Sequence, residues 1–320
     1  MRKIGVLTAG GDAPGMNAAI RAVVRSAIYN GLEVVGFERG YCGLIEGLAC
    51  PMGPRSVSGI INLGGTILKT VRCQEMKTPA GVEKAAEVLK SKGIDGLVAI
   101  GGDGTFTGAS KLYKASGIPI IGIPATIDND VTGTDTTIGF DTAVNTALSA
   151  IDKIRDTATS HERVFVVEVM GRERGFLALE VALAGGAEVV LVPEIKFDLD
   201  SICNKLKDAR KHGKTSEIIV MAEGAGNSNS VVEYIAKQTN LQVRLTVLGY
   251  IQRGGAPTAI SRILASEFGN HAVQLLLNGE VKRMVGIRNG KITSVNLDYS
   301  WRKRKELDMA RYQMGNILSH

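Results

Sequence analysis

Short apolar runs that end at glycine or proline alternate along this chain with longer amphipathic segments, and this alternation constrains the fold more strongly than any other feature. The runs predict buried strands at residues 4–8, 96–100, 118–123, 164–170, 189–192 and 218–222. The segments between them predict helices at residues 17–29, 137–157, 200–212, 231–239 and 259–277, with a further helix that ends at Ser116. Strands that alternate with helices pair in parallel and are covered by helices on both faces. We therefore expect an α/β fold with mostly parallel sheets.

The length of the chain, 320 residues, favours two lobes, because a single hydrophobic core stops growing somewhat below this size. No segment rich in proline and serine separates two halves, so the lobes are expected to pack closely. Each lobe is predicted to be a mostly parallel sheet sandwiched by helices. The first is expected to comprise residues 1–138 and 256–302, and the second residues 139–255 and 303–320.

The formal net charge of +6 suits an anionic partner. Aromatic residues make up only 5% of the chain, and no RNP, zinc-finger or basic-zipper pattern is present, so nucleic acid is not the expected partner. The densest basic run, residues 302–305, is predicted to be a solvated helix face. The other arginines are scattered and often flanked by glycine, a pattern that favours small phosphorylated ligands.

Cysteine usage and hydropathy indicate the compartment. The four cysteines form no CxxC pair and, with only four histidines, no zinc spacing, so reduced thiols in a cytosolic protein are expected. The apolar stretch after Met1 ends at Gly10, which predicts a first strand and not a signal peptide. No run approaches the roughly 20 apolar residues of a membrane span. We expect a soluble, cytoplasmic protein with no membrane contact.

Two common nucleotide signatures are absent. The segment 10–15 (GGDAPG) lacks the GxGxxG spacing of a dinucleotide site, and it continues with Met16 and Asn17 where a P-loop has lysine and serine or threonine. Glycines after a buried strand nevertheless expose backbone N–H groups, and the following helix directs its positive end at whatever binds there. An anion site and a purely structural turn both explain this segment.

Two further polar segments follow predicted strands. Residues 101–105 (GGDGT) permit a close approach of backbone to a polyphosphate, and Asp103 is an oxygen ligand suited to Mg²⁺; a helix cap is the alternative. Residues 126–130 (TIDND) supply either Asx-capped turns or a base for a substrate hydroxyl. Taken alone, this segment leaves both interpretations open.

The combination of motifs resembles the bacterial ATP-dependent 6-phosphofructokinase family. Its signatures occur in the family's order and spacing: GGDAPGMN at 10–17, GGDG at 101–104, TIDND at 126–130, MGR at 170–172 and QRGG at 252–255. The resemblance extends from residue 4 to about residue 285. It implies a cytoplasmic glycolytic enzyme that phosphorylates fructose 6-phosphate with MgATP, in which the first lobe binds ATP and the second binds the sugar phosphate.

The resemblance also implies residue roles. The ATP site would comprise Gly11, Arg72, Cys73, Gly102, Asp103, Gly104 and Thr105, with Asp103 on Mg²⁺. The sugar-phosphate site would comprise Thr126, Ile127, Asp128, Met170, Gly171, Arg172, Glu223, Tyr250, Ile251, Gln252 and Arg253, joined from a neighbouring subunit of a homotetramer by Arg163 and Arg244. The catalytic set would be Asp128 as base, with Arg72, Arg172, Gly11 and Thr126.

An effector site for ADP and phosphoenolpyruvate is a further implication. Its residues here would be Arg21, Arg25, Arg155, Gly186, Ala187, Glu188, His212 and Lys214, with the Glu188 carboxylate on the effector's Mg²⁺. Pro54 and Gly59 replace an arginine and an aspartate that relatives commonly have, and His212, Thr215 and Ser216 lie in a segment that is usually more basic. We therefore expect weakened regulation.

Donor choice and the alternatives follow from single positions. Pyrophosphate-using relatives typically have aspartate at 104 and lysine at 125, where this chain has Gly104 and Ala125, so ATP is the expected donor over pyrophosphate. Tyr250 replaces the usual histidine, which leaves sugar affinity open.

The GGDGT segment also resembles NAD and lipid kinases, but that alternative leaves TIDND, MGR and QRGG unexplained. A non-catalytic sugar-phosphate sensor would have no need of Asp128.

Overall fold

A computed structural model describes residues 1–319 and divides them into two compact units. The strands are β1 (Lys3–Thr8), β2 (Glu33–Phe37), β3 (Ala49–Met52), β4 (Gly96–Gly101), β5 (Ile120–Thr126), β6 (Ile138–Gly139), β7 (Val164–Val169), β8 (Val189–Leu191), β9 (Glu217–Ala222), β10 (Val243–Val247), β11 (Arg283–Arg288) and β12 (Lys291–Asn296). The helices are α1 (Met16–Tyr29), α2 (Gly40–Glu46), α3 (Pro79–Ser91), α4 (Asp103–Ser116), α5 (Phe140–Ser160), α6 (Phe176–Gly185), α7 (Leu199–Lys211), α8 (Ser228–Thr239), α9 (Ala259–Leu277), α10 (Tyr299–Arg302) and α11 (Met309–Leu318).

The first unit is built on an eight-stranded sheet. Its main order is β12-β11-β5-β4-β1-β2-β3, and β6 adds to β5. All pairs are parallel except the two edge pairs, β2 with β3 and β11 with β12. Leu7, Leu97, Phe106 and Ile120 are fully buried in its core. The strands nearest the middle of the sheet are the continuous apolar runs that the sequence predicted.

The second unit is built on a four-stranded sheet that is parallel throughout, in the order β10-β7-β9-β8. Val166, Ile219 and Met221 lie in its core together with Leu206 of α7 and Ile235 of α8. β10 is therefore an edge strand, and β7 and β9 are central. The predicted α/β class with mostly parallel sheets is confirmed.

Side-chain caps explain where many helices begin. Thr78, Asp198, Asn227, Thr258 and Asp308 each accept a backbone N–H from the first turn of the helix that follows. Such caps satisfy donors that have no partner inside the helix. α4 is different, since it begins after a glycine that has no side chain with which to cap it.

The unit boundaries differ from the predicted ones by a few residues. The first unit comprises Met1–Ile127, Val131–Thr142 and Arg253–Lys305; the second comprises Asp128–Asp130, Ala143–Gln252 and Glu306–His320. The predicted boundaries after residues 138, 255 and 302 fall instead after 142, 252 and 305. The larger difference is that Asp128–Asp130, expected in the first lobe, groups with the second unit.

The prediction that residues 302–305 form a helix face is wrong. α10 ends at Arg302, and Lys303 has extended backbone angles. The Lys303 carbonyl accepts a hydrogen bond from the Thr132 hydroxyl at 2.7 Å, and Lys305 Nζ donates to the Asp135 carbonyl. The run is therefore an extended segment attached to the first unit by side-chain–backbone bonds.

Candidate active site

The carboxyl ends of β1 and β4 meet at one edge of the first sheet, because the two strands are parallel neighbours. The Thr105 hydroxyl donates to the Ala9 carbonyl at 2.9 Å and so joins the segments that follow the two strands. A Cβ on Gly101 would lie 2.3 Å from both the Ala9 carbonyl oxygen and the Thr105 Oγ1, so only glycine allows this approach. The two glycine-rich motifs predicted to bind phosphate are thus brought together. Thr105 itself is buried and acts as the link between them.

The N-terminus of α4 presents groups suited to a nucleotide. Gly102, the residue before the helix, has no side chain with which to accept the first backbone N–H groups. Asp103 is exposed, and its Oδ1 accepts the Gly104 N–H at 2.6 Å. A Cβ on Gly104 would have no neighbour within 4 Å, so the space beside this turn is open.

A single exposed carboxylate can hold Mg²⁺ together with nucleotide phosphates, because this ion keeps several waters and uses one or two protein carboxylates. Within residues 1–319, no group of three histidine, cysteine, aspartate or glutamate side chains is placed to hold a metal by itself. The position of Asp103 therefore fits the predicted role of holding Mg²⁺ together with nucleotide phosphates.

Arg253 lies against the first glycine-rich motif. Its Nη2 is 3.2 Å from Asp12 Oδ1, and its Nε donates to the Asp12 carbonyl at 3.4 Å. A Cβ on Gly11 would lie 2.0 Å from Arg253 Nη2. The sequence grouped Arg253 with Gln252 in the sugar-phosphate site, but the structure places Arg253 in the first unit. Its guanidinium covers Gly11 and pairs with Asp12, a partner that the sequence analysis did not identify.

Arg72 and Cys73 lie in the segment that leads from β3 to α3. The Arg72 side chain is exposed, while its carbonyl accepts from the Cys42 thiol. The Cys42 and Cys73 thiols are hydrogen-bonded, and burial together with this neighbour raises the pKa of Cys42 to about 12. The Tyr41 hydroxyl donates to the Thr105 carbonyl at 2.6 Å, and burial raises the pKa of this phenol. Arg72 is therefore available to a ligand. The Tyr41 hydroxyl is hydrogen-bonded to the first turn of α4.

Asp128 and Arg172 form an ion pair in the second unit. The Arg172 Nε lies 3.3 Å from Asp128 Oδ2. The Asp128 side chain is 7% exposed and that of Arg172 is 57% exposed. The exposed guanidinium of this pair is open to an anionic ligand, next to a largely buried carboxylate. Two residues that are far apart in sequence, and that were both predicted to be catalytic, are thus in contact.

Gly171 and Arg172 lie in a turn with positive φ angles. The φ of Arg172 is +52°, and that of Gly171 is +134°. The Glu223 Oε1 accepts the N–H groups of Arg172 at 2.7 Å and of Gly171 at 3.2 Å. The sequence assigned Glu223 to the sugar, and the structure uses it as a backbone acceptor.

The other residues predicted for the sugar phosphate differ in exposure. Tyr250 and Ile251 are exposed, whereas Gln252 is fully buried and its Nε2 donates to the Gly249 carbonyl, so its side chain stabilises the loop. Thr126 and Met170 are half-buried at the ends of β5 and β7. Ile127 is buried.

Arg163 and Arg244 lie near the β10 edge of the second sheet. Arg163 precedes β7, and its Nε donates to Gln242 Oε1 at 2.9 Å. Arg244 is exposed on β10, in register with Phe165 of β7. The sheet edge therefore presents both arginines close to a surface.

The residues predicted for the effector site divide between the units. Arg21 and Arg25 lie on α1 of the first unit. In the second unit, Arg155 Nη2 donates to the Gly185 and Gly186 carbonyls, and His212 Nδ1 is 2.8 Å from the Asp208 carbonyl. Ala187 lies between Gly186 and Glu188 in the chain.

Glu188 is buried and already has protein partners. Its Oε1 is 2.9 Å from Lys214 Nζ, and its Oε2 accepts the Ile218 N–H. Lys205 donates to the Glu188 carbonyl and to the Ser319 hydroxyl, and burial with the nearby Lys214 lowers the Lys205 pKa. Each oxygen of the Glu188 carboxylate thus has a protein partner, and its predicted metal role stays a prediction.

Comparison with known proteins identifies relatives of this chain. A family model described as phosphofructokinase matches residues 3–276. A curated ATP-dependent 6-phosphofructokinase of Halothermothrix orenii is 55% identical, and one of Clostridium botulinum is 53% identical; each match covers all of both chains. Among solved structures, a phosphofructokinase of Saccharomyces cerevisiae has a TM-score of 0.87 at 36% identity, with 94% of this chain and 45% of the yeast chain covered.

The fold extends to more distant proteins. A pyrophosphate-dependent phosphofructokinase of Marinobacter aquaeolei has a TM-score of 0.87 at 22% identity, over 97% of this chain and 86% of the other. No helix within residues 1–319 is long and apolar enough to cross a membrane. The matched family model, the full-length relatives and the shared fold agree with the sequence motifs, and the chain belongs to the phosphofructokinase family.

Proposed function

We propose that this protein is an ATP-dependent 6-phosphofructokinase of the cytoplasm. It would transfer a phosphoryl group from MgATP to the 1-hydroxyl of D-fructose 6-phosphate, giving D-fructose 1,6-bisphosphate and ADP, the committing step of glycolysis. The observation that carries the proposal is the contact between Asp128 and Arg172 in a chain that is 55% identical to a curated enzyme of this name.

Asp128 is the proposed general base. A carboxylate is a weak base, so it would orient the sugar hydroxyl and accept its proton late in the transfer. Arg172, whose Nε lies 3.3 Å from Asp128 Oδ2, would share the charge of the phosphoryl group. The Thr126 hydroxyl stands two residues before the base. Arg72 and the Gly11 N–H would add further positive charge.

The nucleotide is proposed to bind the first unit at residues 102–105 together with Gly11, Arg72 and Cys73. The exposed Asp103 would hold Mg²⁺ with the phosphates of ATP, and the ion would neutralise charge on the transferred group. The open space at Gly104 supports ATP as donor. A carboxylate at this position would repel a nucleotide phosphate.

Assembly is proposed to complete the sugar-phosphate site. Arg163 and Arg244 lie near an exposed sheet edge, where a neighbouring copy can use them. Guanidinium groups bind phosphate through bidentate hydrogen bonds, so two arginines from a neighbour would contribute strongly to the 6-phosphate. A homotetramer is the proposed assembly.

Regulation by ADP and phosphoenolpyruvate is proposed to be weak. Lys214 and Arg155 have protein partners already, and Pro54 and Gly59 supply no charge. Each lost charge-assisted contact weakens anion binding by about 1.5–3 kcal/mol. Sugar saturation curves with and without each effector measure this coupling.

A coupled assay with fructose 6-phosphate tests the proposed function directly. Rapid turnover with ATP and slow turnover with pyrophosphate are expected. Comparable kcat/KM with the two donors would indicate a pyrophosphate enzyme. Turnover of ATP with NAD or a lipid in place of the sugar would indicate another kinase. Sugar-phosphate binding with no turnover would indicate a sensor.

A further inference from the structure

Cys42 and Cys73 are in contact in the first unit, where the segment between β3 and α3 passes α2. The Cys42 thiol is hydrogen-bonded to the Cys73 sulfur, and its Sγ lies 3.9 Å from the Arg72 carbonyl oxygen. Both cysteines are free and half-buried, so small reagents in solvent can reach them. The folded chain therefore contains a pair of free thiols whose positions in the sequence do not indicate a pair.

Helix α2 is the anchored side of this pair. Tyr41 and Leu44, which flank Cys42 on the helix, are buried in the core of the first sheet. Cys73 lies instead in a stretch, residues 69–73, that forms neither helix nor strand. Such a stretch moves more readily than a helix packed into a core. A bond between the two sulfurs would therefore draw Cys73 towards α2, and α2 would stay in place.

The stretch that carries Cys73 is also attached to the first glycine-rich motif. The Thr70 hydroxyl donates to the Gly10 carbonyl at 2.8 Å. Gly11 follows in the motif, and Arg72 precedes Cys73 in the chain. Gly11, Arg72 and Cys73 all belong to the proposed ATP site. A displacement of Cys73 would therefore act on groups that are proposed to bind the nucleotide.

We propose that Cys42 and Cys73 are a reversible oxidation site, at which a peroxide joins the two thiols in a disulfide that displaces Cys73 and weakens ATP binding. A disulfide has an S–S distance of about 2.0 Å, so two sulfurs in hydrogen-bonding contact must move closer together. Disulfides of cytosolic proteins are usually transient and often redox-sensing, which fits a bond that forms only on oxidation. The effect on ATP rests on the proposed function, whereas the formation of the disulfide does not.

Two thiols and one molecule of hydrogen peroxide give one disulfide and two molecules of water. Burial and the neighbouring Cys73 raise the pKa of Cys42 to about 12, so Cys42 keeps its proton and donates a hydrogen bond to the Cys73 sulfur. The Cys73 sulfur loses its own proton and attacks one peroxide oxygen; the O–O bond breaks, and hydroxide leaves with that proton as water, which leaves a sulfenic acid on Cys73. The Cys42 sulfur then attacks the Cys73 sulfur, the S–O bond breaks, and the leaving hydroxide takes up the Cys42 proton. The peroxide is reduced by two electrons, and each sulfur is oxidised by one.

Mapping of the cross-linked peptides tests the site itself. The full-length wild type, Cys42→Ser and Cys50→Ser are treated with hydrogen peroxide, the remaining thiols are alkylated, and disulfides are identified by mass spectrometry. We expect a disulfide between Cys42 and Cys73 in the wild type and in Cys50→Ser, and its loss on addition of dithiothreitol. Cys50 is the matched control, because its thiol is also half-buried in the first unit but donates to the Gly36 carbonyl. A wild type that yields no such cross-link, whether Cys73 stays reduced or reaches the sulfinic acid, overturns the proposal.

Titration calorimetry with MgATP measures the consequence for the nucleotide. Peroxide should raise the Kd of the wild type for MgATP by at least about threefold, and dithiothreitol should restore it. Cys42→Ser and Cys42→Ala should bind MgATP like the reduced wild type and should not respond to peroxide, because Cys42 lies outside the proposed ATP site. An equal response in these variants, or a smaller change in a fully cross-linked wild type, overturns the effect on ATP. A reduced wild type that binds MgATP but does not phosphorylate fructose 6-phosphate would instead refute the proposed function and leave the oxidation site standing.

Discussion

Replacing Asp128 with serine removes the proposed base and leaves the rest of the second unit in place. The Asp128 carboxylate is largely buried and contacts the Arg172 guanidinium. Serine is smaller and cannot accept a proton at neutral pH. We therefore expect a large fall in kcat and a change of only a few-fold in the affinity for fructose 6-phosphate, because a base acts on the chemical step.

The two effects differ in size. Loss of general-base catalysis lowers kcat by about 10²–10⁴-fold, or about 2.7–5.5 kcal/mol in activation free energy. Two charges 3.3 Å apart attract by about 5 kcal/mol at an effective dielectric of about 20. Because the Arg172 side chain is 57% exposed, solvent reduces the contribution of this pair to the free energy of unfolding to about 1 kcal/mol. The melting temperature should therefore change by no more than about 3 °C.

Steady-state kinetics with varied fructose 6-phosphate and saturating ATP measure kcat and KM separately, and calorimetry measures stability. Asp135→Ser is the matched control, since this exposed carboxylate of the same chain segment accepts the Asn289 N–H and lies in the first unit. Retention of a tenth or more of the wild-type kcat by Asp128→Ser would refute its assignment as the base. A loss of kcat in Asp135→Ser as large as that in Asp128→Ser would point to a general disturbance of the fold.

Three further outcomes are expected. Gly104→Asp should raise the KM for ATP at least tenfold, whereas Gly104→Asn should not, because the space at this position is open and the two side chains differ only in charge. Equal effects of the two substitutions in steady-state kinetics would contradict this. Mixing Arg163→Ser with Asp128→Ser should restore activity in hybrid oligomers, and hybrids verified by native mass spectrometry that stay inactive would exclude a shared site. Burial lowers the pKa of His271, so below about pH 6.5 this histidine takes up a proton more readily in the unfolded chain than in the folded one. The melting temperature of the wild type should therefore fall more between pH 7.5 and 5.5 than that of His271→Gln. Equal falls in the two proteins would contradict this.

Local patterns predicted the central elements well. Residues 259–277 were predicted as a helix and form α9 with those bounds, and the buried runs became β1, β4, β7 and β9 with ends shifted by a residue or so. The strands β2, β3, β10, β11 and β12 were missed, whereas the edge strand β8 was predicted at residues 189–192. The hairpin of β11 and β12 turns at Asn289 and Gly290, both with positive φ, so the Asn-Gly pair was a signal available in the sequence.

The sequence by itself determined the fold class, the order of the motifs and the residues that can carry phosphate chemistry. The fold class follows from hydrophobic periodicity and the candidate phosphate-binding segments from their glycines, which are local properties of the chain. The roles of individual residues follow from the resemblance to the family. The absence of a carboxylate at Gly104 is likewise a property of a single residue.

Only the tertiary structure decided which of these residues meet. Glu223 lies more than fifty residues from Arg172 in sequence, and the two are in contact because β7 and β9 are neighbours in the sheet. In the same way, Arg253 pairs with Asp12, which lies 241 residues away in the sequence. Strand order depends on how whole elements pack, and no local pattern records it, so the partners of Asp128, Glu188 and Arg253 could be read only from the folded chain.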